Sequence, residues 1–192
     1  MQAAGLRIGH EHARLDGIVS WMLPGERDKN PYRHALGPLK DFHHIFCVTR
    51  APLDALASII PENDDLPSFT FRSEILADRF GIALPDPQDP PARLLAAVIS
   101  YTLWFELCMS FLPELIYRVD RPEDDALLSD YLNREIRRND DIDRNSRPRR
   151  RAAPVTPDDL ARLSPEWLTR FGEMAEGLGY PEDAATIRAA SP

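Results

Sequence analysis

Lysine is nearly missing from this chain, with Lys29 and Lys40 standing against 21 arginines. Guanidinium groups suit bidentate contacts with carboxylate or phosphate, although a coding bias toward arginine accounts for the excess more simply. Cysteine is scarce as well. Cys47 and Cys108 are the only two, and both lie in apolar runs. That excludes a disulfide-rich scaffold and fits a reducing compartment, so a cytoplasmic location is expected. Long hydrophobic runs are absent too. The most apolar stretch, 94–117, holds at most 12 residues in a row without a charge (94–105), and Glu106, Pro113 and Glu114 interrupt its second half. A membrane span needs about 18, so this stretch reads as a buried core helix and no membrane association is expected. The first residues lack a charged segment followed by an apolar one, so no signal peptide is expected.

Local catalytic motifs are also lacking. There is no G-x-S-x-G, Walker A, Rossmann fingerprint, C-x-x-C or H-E-x-x-H. Constellations assembled from distant positions remain open, and the reading leans away from an enzyme. What is present is ordinary globular composition: 192 residues, 43% hydrophobic and 28% charged. Such a length buries roughly 70% of the unfolded chain's surface without help from a metal or disulfide. The net charge of −8 opposes general nucleic-acid binding.

The patterning predicts a mainly α fold: a helical domain over 1–138 with a long buried central helix, a basic, proline-containing linker over 139–154, and a short C-terminal helical module over 155–192. Ile8, Leu15, Val19 and Met22 recur at helical spacing, which predicts a helix over 6–23. Within residues 38–60, the preferred reading is a helix opened by Pro38, carrying Leu39, Phe42 and Phe46 on one face and stopped by Pro52. The competing reading is a strand near 43–49, because 45–49 are rich in β-branched and aromatic residues. Leu53 to Ile60 reads as a short helix ended by Pro61. Phe69 and Phe71 give a weak strand signal over 68–72, and a helix then runs to Phe80, closed by Gly81. A central helix is expected over 91–118 and another over 122–138. Thr156-Pro157 and Ser164-Pro165 each offer a capping hydroxyl and a proline at the first helical position, and Pro181 opens a last helix.

Three sets of residues carry candidate chemistry. On the helical wheel of 6–23, His12 falls on the apolar face, where a titratable group is either a satisfied core histidine or a ligand. With one of His43 or His44, and with Glu106 from the apolar run, it makes a candidate site for iron, manganese or zinc. Paired Glu-x-x-His units, the usual di-metal pattern of bundles, are missing. Glu106 also shares a polar stripe with Thr102 and Ser110, so it reads equally as facing water or another helix. The third set is basic. Residues 134–151 hold eight arginines and four acids, a net of +4, and peak at Arg147, Arg149, Arg150 and Arg151. With Trp167 of the C-terminal module these form a candidate partner-binding set, for an acidic protein surface or, with less support, nucleic acid. No aromatic residue interleaves the arginines for base stacking. The functional expectation is a non-catalytic protein-interaction role, as an adaptor, assembly factor, chaperone-like accessory protein or antitoxin-type binder, with another protein as partner. The alternatives are a metal-dependent helical enzyme or metal-binding protein, and a nucleic-acid binder using the arginine-rich linker.

Overall fold

A computed structural model of the chain describes residues 6–10, 14–25, 42–136 and 153–190. The protein is mainly α: seven α-helices are described, beside two small parallel strand pairs. Contacts divide the chain into two compact units, Met1–Thr49 with Phe111–Pro148, and Arg50–Ser110 with Arg149–Pro192. This division cuts across the expected one at 1–138, 139–154 and 155–192, because each unit draws on two separate stretches of chain.

The first unit contains the strands. Strand β1 (Ile8–His10) pairs in parallel with β2 (Gly17–Val19). The expected helix over 6–23 is therefore replaced. Gly9 and Gly17 each cost a helix about 1 kcal/mol relative to alanine, and Asp16-Gly17 is a turn signal. Of the four residues read as one apolar face, Leu15 is 73% exposed while Met22 is fully buried. Strand β3 (Phe46–Thr49) pairs in parallel with β4 (Leu115–Arg118), with Phe46 opposite Leu115 and Val48 opposite Tyr117. The backbone bonds Glu114 N–H to Ile45 O and Val119 N–H to Thr49 O extend the ladder at both ends.

Within the described part of 38–50, then, the strand displaces the preferred helix. Its side chains alternate, with Cys47 and Thr49 buried and Val48 exposed, as a pleated segment requires. A parallel pair needs a long crossover, and here the connection carries three helices of the second unit. The expected central helix also stops early, at Met109, and β4 takes its last residues. Pro113 lacks an N–H and disfavours the α region at the residue before it. Leu112 turns the chain at φ 51, in the left-handed region. Helix α4, numbered in chain order after the three helices of that connection, spans Asp124–Leu132 and is shorter than the expected 122–138. Asn133 caps it in the left-handed region at φ 48, and the Ser129 hydroxyl then accepts Ile136 N–H at 2.9 Å. Arg134 thus lies past the helix end, and Arg137 and Arg138 lie outside the described residues.

The second unit is helical throughout. Helix α1 (Pro52–Glu62) runs through Pro61 instead of ending before it. Helix α2 (Leu66–Phe80) replaces the strand signal at 68–72, since Phe71, Ile75 and Leu76 bury one helical face. It ends as expected at Gly81, whose φ of 67 suits glycine and whose N–H bonds Ala77 O. A 3-10 turn over Pro90–Ala92 leads into α3 (Arg93–Met109). Ten of its residues are buried, Leu103 completely. The stretch Pro90–Met109 is long and apolar enough to cross a bilayer by length and composition, and 56% of its most apolar 18-residue window is buried inside the protein. Helices α5 (Pro157–Leu160), α6 (Pro165–Gly177) and α7 (Pro181–Ala189) complete the unit. The C-terminal helices share the core of α3: Phe171 of α6 meets Tyr101 edge-on at 5.8 Å. The backbone N–H of Leu53 at the start of α1 donates to Asp183 of α7 at 2.9 Å.

The expected caps are formed. Thr156 and Asp159 make a reciprocal capping box at α5, and Ser164 accepts Trp167 N–H at α6. The hydrogen bonds from the Thr156 side chain and backbone hold the Asp159 carboxyl below its ordinary value of 3.8. A depressed folded-state value means stability that is present above the unfolded value and lost as pH falls through the folded one. We therefore expect Asp159→Asn to flatten the acid limb of the unfolding midpoint against pH below about pH 4. Superimposable acid limbs for the two proteins would refute this.

Candidate functional site

Among the described residues are two polar clusters, one in each unit. In the second unit, Glu106 on α3 receives the guanidinium of Arg170 on α6 in a two-pronged contact, Nε to Oε1 at 2.6 Å and Nη2 to Oε2 at 2.5 Å. The hydrogen bond to Glu106 raises the pKa of Arg170 above its ordinary value. The same guanidinium lies 5.3 Å from the centre of the Trp167 ring, within cation–π range. The polar stripe expected on α3 runs from a buried to an exposed end. Thr102 is fully buried, Glu106 faces α6, and Ser110 donates its hydroxyl to Leu107 O. A shallow cleft of about 220 Å³ opens beside the pair, lined by Glu106, Met109, Arg170, Glu173, Met174 and Leu178. It is smaller than the usual range for small-molecule pockets.

In the first unit, His44 and Glu114 meet just outside the β3–β4 ladder. His44 Nδ1 lies 3.0 Å from Glu114 Oε2, and the hydroxyl of Tyr131 lies 2.9 Å from the same nitrogen. The Tyr131 hydroxyl also donates to the Glu114 carboxylate. The rings pack together. Phe46 stacks parallel to His44 at 6.4 Å, and Tyr131 meets both edge-on, at 5.5 Å from His44 and 5.2 Å from Phe46. With its proton on Nδ1, His44 donates to Glu114, which fixes the ring and leaves Nε2 as an acceptor. Both partners are well exposed, 55% and 39% by side chain.

This cluster borders an apolar face. The pleat of β3 places Phe46 and Val48 on one side, and register sets Leu115 and Tyr117 opposite them. Tyr117 donates to Asp125 of α4 at 2.6 Å, and Tyr131 of α4 meets the ring of Phe46. Val48 of β3 and Leu127 and Tyr131 of α4 are exposed, at 40%, 50% and 39%. Leu127 and Tyr131 are four residues apart, hence neighbours on one helical face. Exposed Glu123, Ala126 and Asp130 share that face.

The residues singled out from sequence fall in different places. His43 and His44 precede β3 and are exposed. His44 engages Glu114 and Tyr131, and Glu106 engages Arg170. His12 lies outside the described residues, as do Arg147, Arg149, Arg150 and Arg151. Trp167 is half-buried under Arg170. Among the described residues no group of three or more His, Cys, Asp and Glu is placed to hold a metal ion. Phe46, Glu114, Leu127 and Tyr131 are not legible as site residues in the sequence. His44 and Glu114 are 70 positions apart and meet only through the parallel ladder. No family model, curated protein or solved structure matches this chain.

Proposed function

We propose that this chain is a non-catalytic protein-binding module, acting as an adaptor or assembly factor. The observation that carries the reading is the set of exposed apolar side chains in the first unit, Val48 on β3 and Leu127 and Tyr131 on α4, with Tyr131 packed on Phe46. Interaction sites combine a small aromatic and aliphatic centre with a polar rim. The rim here is the His44–Glu114 pair and the acidic residues of α4.

The test is quantitative affinity capture from the native host with the full chain and a Leu127→Ser, Val48→Ser variant. Both positions are substantially exposed, so the variant should fold normally, which circular dichroism checks. A stoichiometric partner held by the parent chain and depleted at least about tenfold on the variant, equivalent to 1.4 kcal/mol, supports the reading. Equal recovery of all proteins on both baits would overturn it.

A further inference from the structure

We infer that the partner presents a basic, amphipathic segment to this face, its apolar side on Leu127, Tyr131 and Val48 and its arginines or lysines on the surrounding carboxylates. The inference rests on the protein-binding reading above and adds the chemistry of what is bound. The argument is charge complementarity. Residues 111–136 hold seven acidic side chains and three arginines, a net of −4. Two of those acids are already neutralised or engaged inside the unit: Asp124 pairs with Arg118, and Asp125 accepts from Tyr117. Glu114 is engaged too, by His44 and the Tyr131 hydroxyl, while Asp120, Glu123, Asp130 and Glu135 are exposed. Of these, Glu123 at the N-cap of α4 and Asp130 within it flank Leu127, one helical turn to either side.

An acidic rim around a small aromatic centre accepts a helix with apolar residues at i, i+3, i+4 and i+7 and basic residues between them. It repels an acidic segment of the same pattern, so the rim supplies selectivity. It also disfavours a second copy of this chain. In an isologous pair the same carboxylates would face each other, in a chain of net charge −8.

The probe is a labelled amphipathic leucine–arginine peptide of about 15 residues, roughly four helical turns, with a leucine–glutamate peptide of the same pattern as its counterpart. Fluorescence anisotropy with the full chain should give a Kd for the arginine peptide on the order of 10 µM, and binding at least about tenfold weaker for the glutamate peptide. Leu127→Ser should weaken the arginine peptide about tenfold, and Glu123→Gln with Asp130→Asn should reduce the salt dependence of its binding. Three results would overturn the inference. The two peptides bind alike; binding survives Leu127→Ser, which marks general attraction to an acidic chain; or sedimentation shows self-association that Leu127→Ser abolishes, which makes the occupant a second copy. The readouts separate this inference from the reading beneath it. If the arginine peptide fails while host-protein capture still depends on Leu127 and Val48, protein binding stands and the basic partner falls. If capture is also indifferent to those positions, both fall.

Discussion

Replacing Phe171 by alanine lowers the unfolding free energy of the second unit by about 3–5 kcal/mol, the usual cost of emptying a buried aromatic site. Phe171 is fully buried, and its ring meets Tyr101 of α3 at 5.8 Å and 86°. An edge-to-face pair adds about 0.5–1.5 kcal/mol beyond the buried area. Tyr101 is itself buried and packs against Phe105 at 4.6 Å. The cavity would therefore sit where α6 joins the central helix. Collapse into it is restricted on the other side of α6. Next to Phe171, a β-carbon at Gly172 would stand only 3.3 Å from Arg188 Cγ of α7, so these two helices are already in close contact. A domain holds roughly 5–15 kcal/mol in total, so the loss is a large part of its stability. The measurement is urea unfolding detected by tryptophan fluorescence, since Trp104 and Trp167 both report on this unit. Leu66→Ala is the control: Leu66 is 55% exposed on α2 and should move the midpoint by no more than about 0.5 kcal/mol. Comparable shifts for the two variants would refute the placement of Phe171 in the core.

The same packing explains what is legible in the sequence. The signals that read correctly are local. Thr156, Pro157 and Asp159 specify a helix start within four residues, Ser164 and Pro165 another, and Gly81 a helix end. The apolar run of α3 also announces itself, because a helix buried on most of its surface needs no partner to be recognised from composition. The strands fail this criterion. Phe46 to Thr49 is β because Leu115 to Arg118 lies beside it, and nothing near Phe46 encodes that neighbour. Leu39, Phe42 and Phe46 do fall at helical spacing, which favours a helix on pattern alone. The β-branched content of 45–49 is the correct and weaker cue. In the N-terminal stretch four apolar residues match a helical period by coincidence, with two glycines among them.

The candidate site is legible only in fragments, for the same reason. His44 and Glu106 stand out from sequence because a histidine or glutamate near apolar residues is conspicuous. Their partners are hidden. Arg170 is 64 positions from Glu106, and Tyr131 is 87 from His44. Glu106 reads as a candidate metal ligand, whereas its interruption of an apolar helix is explained by a guanidinium from α6 that meets both carboxylate oxygens. The exposed face of the first unit carries no sequence signal at all. Leu127 and Tyr131 read as ordinary apolar positions of an amphipathic helix. Only their exposure in the structure, beside the buried Asp124 and Leu128, reveals them as the outward ones.

Asp124 is the position where that inversion has the greatest energetic consequence. A carboxylate rather than an aliphatic side chain anchors the start of α4, and it is 1% exposed. Its Oδ2 accepts the Arg118 backbone N–H and Nε–H, both at 2.8 Å, and its Oδ1 accepts Nη2 at 2.6 Å. The first turn of α4 adds a favourable dipole for the negative charge. Asp124→Ala removes all three bonds and leaves the guanidinium beside an apolar cavity. Breaking a buried pair from one side costs about 3–5 kcal/mol. The Arg118 side chain is 25% exposed, so water recovers part of this, and a loss near the lower end, about 3 kcal/mol, is expected. Arg118→Met retains much of the apolar stem and the backbone N–H bond to the carboxylate but removes the guanidinium, and should cost somewhat less. The double variant should then lose clearly less than the two single losses together, by about 1–3 kcal/mol, because neither ion is left without the other. Chemical denaturation of the four proteins measures this directly, and strict additivity would sink the argument. The variant also tests how structure supports binding. Asp124 holds α4 from its buried side and is not part of the exposed face, so Asp124→Ala should weaken the arginine peptide in proportion to the fraction of α4 that is unfolded. Mild stabilisation by an osmolyte, which favours the compact state, should restore that binding, whereas Leu127→Ser should stay weak under the same conditions.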